Sequence, residues 1–153
     1  PLRGTMLARL RDVADVFGEH GVMIGLETGQ ESAEELADVL SSLDHPQLGV
    51  NFDPANVILY GRDDPMGAFA LLRPWISQVH LKDARGSGDP ERWGTEVPLG
   101  EGEVPWDEFF AALISMPEPV AAVIEREAGE AREADVRQAA THARDGLGAS
   151  AAG

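Results

Sequence analysis

Residues 21–43 carry the sequence GVMIGLETGQESAEELADVLSSL, in which a short apolar run precedes an amphipathic pattern. The apolar run at 22–26 is too brief for a helix and has the composition of a buried strand. Ser32 and Glu35 then have the spacing of a capping box, and apolar residues recur at helical intervals up to Leu43. This stretch therefore predicts a strand, a polar turn and a helix.

The same unit repeats along the chain. Further strands are predicted at 47–52, 76–82 and 120–124, and further helices at 64–72, from 105 onward and at 135–144. Residues 53–61 are expected to form an exit loop, and residues 83–104, with five glycines, a long functional loop without regular structure. Strands that alternate with helices predict an α/β fold of parallel βα units. An open doubly wound sheet and part of an eight-stranded barrel both remain possible, although no Gly-x-Gly-x-x-Gly motif follows any predicted strand.

Composition excludes several classes of protein. The 153 residues match one domain, which we place at 1–145, followed by a flexible tail at 146–153. There is no cysteine, so any metal must be held by His, Asp and Glu. A formal charge of -15 disfavours nucleic acid and anionic membranes as partners. No apolar run approaches the roughly 20 residues that span a bilayer, and no secretory leader is visible, so we expect a cytoplasmic protein.

Four predicted strands each end near a residue that can bind a divalent cation. These residues are Glu27, Asp53, His80 and Glu125. Because parallel strands end at one edge of a sheet, the four side chains are expected to converge there as a metal site. Each residue alone also has an ordinary interpretation: a carboxylate after a strand is often a helix cap, and a histidine in a strand is often a hydrogen-bonded core residue.

Five motifs in order along residues 20–130 resemble the sugar phosphate isomerase/epimerase family, within the xylose isomerase-like TIM barrel superfamily. The motifs are LETG at 26–29, GVNFDPAN at 49–56, VHLKD at 79–83, PLGEGEV at 98–104 and VIERE at 123–127. The resemblance implies the C-terminal half of a (β/α)8 barrel. It also implies that Glu27, Asp53, His80 and Glu125 bind one divalent metal ion, with manganese preferred and magnesium, cobalt or zinc as alternatives.

The resemblance further implies an isomerase or epimerase of a sugar, sugar phosphate or related polyol. A divalent ion can polarise a carbonyl and stabilise an enediolate, which makes the neighbouring protons removable. Glu27 and Glu125 match the two glutamates that exchange this proton as base and acid in the family.

Other positions concern the substrate and depart from the family pattern. Asn56 stands where several relatives have a histidine of their trinuclear zinc site, which argues against cleavage of DNA. Asn56, Lys82 and Arg85 are candidate substrate-binding residues, although Lys82 could instead pair with Asp83 or Asp53. Trp93, in the long loop, is either a cover over a bound ligand or a loop residue without function.

Half a barrel would expose unpaired strand edges. We therefore expect a homodimer, or association with a missing N-terminal half-barrel. The alternative to an enzyme is a catalytically silent half-barrel that keeps the fold, with or without the metal site.

Overall fold

The computed structural model describes residues 2–89 and 91–150. Its helices are α1 (Leu2–Gly18), α2 (Ala33–Leu43), α3 (Pro54–Tyr60), α4 (Pro65–Leu72), α5 (Trp106–Ile114) and α6 (Arg132–Ser150), with a 3-10 turn at Arg73–Trp75. Its strands are β1 (Ile24–Glu27), β2 (Leu48–Phe52), β3 (Ile76–Leu81), β4 (Asp83–Arg85), β5 (Thr95–Val97) and β6 (Ala121–Ile124).

Within the described residues, four strands form a parallel sheet in the order β1-β2-β3-β6. Ile24 pairs with Leu48 at the start of β1 and β2, and His80 pairs with Val123 between β3 and β6. Each crossover carries at least one helix, as parallel pairing requires. The predicted α/β arrangement of parallel βα units is therefore present.

The core lies around β2, whose five residues are all buried. Phe52 of this strand contacts Phe69 of α4 edge-on, with ring centroids 5.4 Å apart, and stacks on Phe109 of α5 at 6.1 Å. A strand buried on both faces reads as a nearly continuous apolar run. β2 follows this rule except at Asn51, which faces the site described below.

Residues 53–61, predicted as an exit loop, instead contain helix α3. The prediction was wrong because the capping signals were overlooked: Asp53 caps the helix and Pro54 occupies its first turn. Gly61 ends the helix in the left-handed conformation, with a φ of 61°. This short helix packs next to the strand-end edge and carries Asn56 and Tyr60.

The long connection at 83–104, predicted to lack regular structure, contains the antiparallel hairpin β4–β5. Asp83 pairs with Val97 and Arg85 with Thr95. Strands of three residues are too short for an alternating pattern to be recognised.

The last helix was predicted to end near Arg144, with 146–153 as a flexible tail, but α6 continues through Ser150. Leu147 packs against the hydrophobic core, which holds this part of the chain in the helix. Residues 151–153 of the predicted tail lie outside the described residues, and the division into a domain at 1–145 and a tail stays a prediction. None of the helices in the described residues is long and apolar enough to cross a membrane.

Candidate metal centre

Four strand ends bring the four candidate ligands together. Glu27 is the last residue of β1, and His80 is the last but one of β3. Asp53 and Glu125 directly follow β2 and β6. One ligand atom of each residue lies within 4.8 Å of the others, so three carboxylates and one imidazole converge at one point.

The centre of this cluster contains two buried polar atoms without a hydrogen-bond partner among the described residues. These atoms are Oδ2 of Asp53 and Nδ1 of His80. His80 Nδ1 lies 3.6 Å from Asp53 Oδ2, 3.4 Å from Glu27 Oε1 and 3.2 Å from Glu125 Oε2. Buried polar atoms without partners are costly and rare. The donor set fits a divalent cation, which would satisfy both atoms at once.

Asp53 has the features of both interpretations made from the sequence, a helix cap and a candidate metal ligand. Its Oδ1 accepts the backbone N–H groups of Ala55 at 2.8 Å and Asn56 at 3.1 Å, and so caps α3. The hydroxyl of Thr28 accepts from the Asp53 N–H at 2.8 Å and donates to its carbonyl at 2.9 Å. One carboxylate oxygen is therefore structural, and the other remains directed into the cluster.

The imidazole of His80 is oriented by two amide side chains that sequence reasoning missed. Asn51 Nδ2 lies 3.0 Å from His80 Nε2, and Gln78 Nε2 donates to Asn51 Oδ1 at 3.3 Å. A cation at Nδ1 would leave the ring proton on Nε2, so the Asn51 amide would then turn its oxygen toward the ring. The strand period could have revealed both residues, because each precedes a ligand by two positions and shares its face.

The charges of the cluster shift the pKa values of its members. The buried Asp53 carboxylate raises the pKa of His80; at 3.6 Å this is a charge interaction rather than a hydrogen bond. Burial raises the pKa of Glu27, and this effect exceeds the opposing influence of His80. A carboxylate whose pKa moves upward is better matched to proton transfer near neutral pH.

Lys82 is the counter-charge of the carboxylates. Its side chain is 3% exposed, and Nζ lies 3.0 Å from Glu125 Oε2, 2.5 Å from Glu127 Oε2 and 3.6 Å from Asp53 Oδ2. Burial lowers the pKa of Lys82, but its contacts with these acids outweigh burial and raise it overall, so the amine is protonated. Of the two pairings considered from the sequence, the one with Asp53 is present, and Glu127 adds a partner that was not foreseen.

The other two candidate substrate-binding residues differ in position. Asn56 lies in the site, where Nδ2 donates to Glu27 Oε1 at 3.1 Å and to the carbonyl of Thr28 at 3.0 Å. Arg85 is exposed on β4, and its Nε donates to the carbonyl of Glu101 at 2.8 Å. The structure thus brings Asn56 and Lys82 to the cluster, whereas the Arg85 guanidinium is engaged by the loop.

Asp83, which sequence reasoning treated only as a pairing option for Lys82, organises the long connection. Its buried carboxylate accepts five hydrogen bonds, from Trp106 Nε1 at 2.8 Å and from backbone N–H groups. These belong to Ala84, Gly100, Gly102 and Val104. A Cβ at Gly102 would overlap this carboxylate, which explains the glycine. The loop beside the cluster is therefore fixed by one buried charge.

A cavity of about 310 Å³ lies over the cluster. Its lining includes Glu27, Asn56, Tyr60, Lys82 and Glu125. Such a volume accommodates a small polyhydroxylated molecule next to the candidate ligands.

Comparison with known proteins identifies a matching family and several similar proteins. A family model described as xylose isomerase-like TIM barrel matches residues 2–146. The chain is 31% identical over 119 residues to a 3-dehydroshikimate dehydratase of Bacillus anthracis, and the alignment covers 67% of this chain and 42% of that protein.

Solved structures give the same fold. A xylose isomerase domain protein from Planctomyces limnophilus has a TM-score of 0.86 at 31% identity. The match covers 97% of this chain and 54% of that protein. A xylose isomerase-like TIM barrel protein from Mycobacterium smegmatis, solved in complex with magnesium, has a TM-score of 0.80 at 18% identity. The match covers 97% of this chain and 52% of that protein. The chain therefore spans about half the length of these proteins.

Proposed function

Because the chain belongs to the xylose isomerase-like TIM barrel family, we propose that it carries the metal centre of an isomerase or epimerase acting on a sugar, sugar phosphate or related polyol. The observation that supports this most directly is the pair of unpartnered buried atoms, Asp53 Oδ2 and His80 Nδ1, between two glutamates. An ordinary capping carboxylate and an ordinary core histidine would have hydrogen-bond partners here.

Glu27, Asp53, His80 and Glu125 would hold the ion. Three carboxylates and one imidazole suit manganese or magnesium, with cobalt or zinc as further candidates. When bound, a divalent cation polarises a carbonyl and stabilises the negative charge that develops during removal of a neighbouring proton.

The proposed proton transfer uses Glu27 and Glu125. One carboxylate removes the proton from the carbon next to the carbonyl, and the other returns a proton, so no net oxidation occurs. Asn56 positions Glu27 through its bond to Oε1, and Lys82 positions Glu125 through its bond to Oε2. Both glutamates are thereby held by residues that do not themselves exchange protons with the substrate.

Substrate hydroxyl groups would contact the residues that line the cavity over the cluster. Asn56 and Lys82 both line it. Arg85 is not among the lining residues, and its guanidinium donates to the carbonyl of Glu101. A dehydration that proceeds by elimination also removes a proton next to a carbonyl, and one relative, from Bacillus anthracis, is named a dehydratase.

The experiment combines metal analysis with proton exchange. Protein purified without chelator is assayed for bound metal, and ketoses are incubated with it in D₂O while the signal of the proton next to the carbonyl is followed by NMR. We expect about one metal ion per chain, and exchange that falls about a hundredfold or more in Glu125→Gln at saturating metal. Glu108→Gln, an exposed position on α5, is the matched control.

The alternative is a catalytically silent half-barrel that acts through association with its complement. It is favoured by the half-length match and by the exposed residues of β6, the edge strand next to the cluster. Metal binding without exchange of any ketose proton would support this alternative. Absence of bound metal after loading would contradict the metal-dependent isomerase or epimerase and would also support the silent half-barrel. The complement, a second copy or an N-terminal half-barrel, is itself a proposal.

A further inference from the structure

We propose that a second cavity beside the metal cluster is an anion-binding subsite, which receives a carboxylate or phosphate group at the far end of the substrate. This inference rests on the proposed function, because it assigns the orientation of the substrate of that same site. The subsite is defined by Tyr60, Arg62, Arg92 and Trp93, which line a cavity of about 630 Å³.

The subsite lies next to the metal centre. Its walls come from the end of α3 and from the loop of the β4–β5 hairpin, with Gln30 contributing from the turn after β1. Tyr60 lines both this cavity and the cavity over the cluster. One extended ligand can therefore pass Tyr60 and occupy both.

Two arginines from different parts of the chain line this cavity. Arg62 follows α3, and Arg92 lies in the hairpin loop. Among the described residues, neither guanidinium has a hydrogen bond or an ion pair, although the acidic Asp89 and Glu91 line the same cavity. By contrast, Arg85 and Arg126 are both bonded within the chain. Arginine forks without a protein partner are suited to bidentate recognition of carboxylate or phosphate.

An aromatic pair lines the same cavity as the two arginines. The rings of Tyr60 and Trp93 contact edge-on, with centroids 5.1 Å apart and planes at 90°. Trp93 is 65% exposed, which is unusual for so large an apolar surface. Its exposed ring provides an apolar surface for the carbon skeleton of a ligand.

The position of Trp93 is fixed by the backbone. The N–H of Gly94 donates to the carbonyl of Leu59 at 2.8 Å, which joins the hairpin loop to α3. A Cβ at residue 94 would overlap the carbonyl oxygen of Arg85, so the approach of residue 94 to that carbonyl requires glycine. The tryptophan is therefore held over α3 by the chain itself.

The distribution of charge gives the orientation of the ligand. Around the cluster, the four carboxylates of Glu27, Asp53, Glu125 and Glu127 exceed the combined positive charge of Lys82 and a bound divalent cation, so a substrate anion is disfavoured there. The two arginines line the second cavity, which shares Tyr60 with the cavity over the cluster. The geometry therefore favours a hydroxylated carbonyl compound whose anionic group is remote from the reacting carbon.

The test is an NMR titration of the whole chain, observed at the indole N–H of Trp93, which Trp93→Phe identifies. The probes are inorganic phosphate, D-gluconate for a carboxylate, and D-sorbitol as the neutral counterpart of gluconate. We expect saturable shifts with at least one anion. Its affinity should fall about tenfold or more in the Arg62→Gln, Arg92→Gln double variant. Whichever anion binds more tightly identifies the preferred group.

The control is the Arg9→Gln, Arg144→Gln double variant, which removes two exposed arginines on α1 and α6 and should bind like the wild type. Equal affinity in the two double variants would overturn the proposal, as would the absence of a saturable shift with either anion. The proposed function is tested separately by proton exchange. If the wild type binds the anion but exchanges no ketose proton, that result would contradict the proposed function and leave the anion subsite supported.

Discussion

At the scale of single residues, Asp53→Asn separates the structural oxygen of this side chain from the one directed at the metal. Asparagine retains Oδ1 for the cap on α3 and replaces Oδ2 by an amide that cannot bind a cation. Lys82 keeps Glu125 and Glu127 as partners. We expect affinity for manganese, measured by calorimetry, to fall about a hundredfold or more. The free energy of unfolding of the metal-free protein should change by less than about 1 kcal/mol.

Asp64→Asn is the matched control, because Asp64 caps α4 by accepting from Gly67 N–H and lies outside the cluster. It should leave metal affinity unchanged. Equal metal affinity in Asp53→Asn and the wild type would mean that Oδ2 does not contact the ion.

The candidate ligands could be predicted from the sequence because each lies within one residue of the end of a strand, and parallel strands end at one edge. The residues that orient His80 and the long connection were not predicted. The pairing of Asn51 with His80 depends on the register between β2 and β3, which contains an irregularity at Val50 and Asn51. The role of Asp83 depends on loop backbone groups up to Val104, and local sequence patterns carry no signal for such contacts.

At the scale of elements, the C-terminal part of α6 gives a prediction in which two effects oppose each other. Gly→Ala within a helix usually stabilises a protein by about 0.5–1 kcal/mol. At Gly146, however, a Cβ would overlap the ring of Phe110, which is buried against Trp106. We expect Gly146→Ala to lower the free energy of unfolding in urea by about 1–3 kcal/mol.

Gly148 provides the comparison within the same helix, because nothing lies within 4 Å of an added Cβ there. Gly148→Ala should leave stability unchanged or raise it by up to about 1 kcal/mol. If Gly146→Ala were as stable as Gly148→Ala, the packing of this turn against α5 would be wrong.

The elements that could be predicted from sequence are those long enough to show a period. β1, β2, β3 and β6 and the longer helices follow apolar patterns, and they suffice to give the parallel α/β fold. The three features that were missed have other causes. α3 depends on caps at Asp53 and Gly61, β4–β5 on three-residue pairing, and the end of α6 on packing of Leu147.

At the scale of the whole molecule, the half-length match and the open sheet both indicate that the parallel sheet has an uncovered edge. The chain corresponds to about half of each solved relative, and within the described residues β1 and β6 are the outer strands of the parallel sheet. Ala121, Ala122 and Val123 of β6 are exposed, whereas strands of parallel sheets are normally covered. An uncovered edge with apolar residues promotes pairing with another chain.

We therefore expect the isolated chain to self-associate through β6, with a mass above its 16.4 kDa in light scattering after size exclusion. Val123 is 42% exposed on this strand, and Val123→Lys should weaken association about tenfold or more, because a buried lysine would lack a partner. Val136→Lys is the control, since Val136 is 37% exposed but belongs to α6 and not to the edge strand. A wild type that remains at monomer mass over a wide concentration range would contradict this expectation, as would equal association of the two variants. Release of the dimer on addition of an N-terminal half-barrel would show that both occupants compete for the same edge.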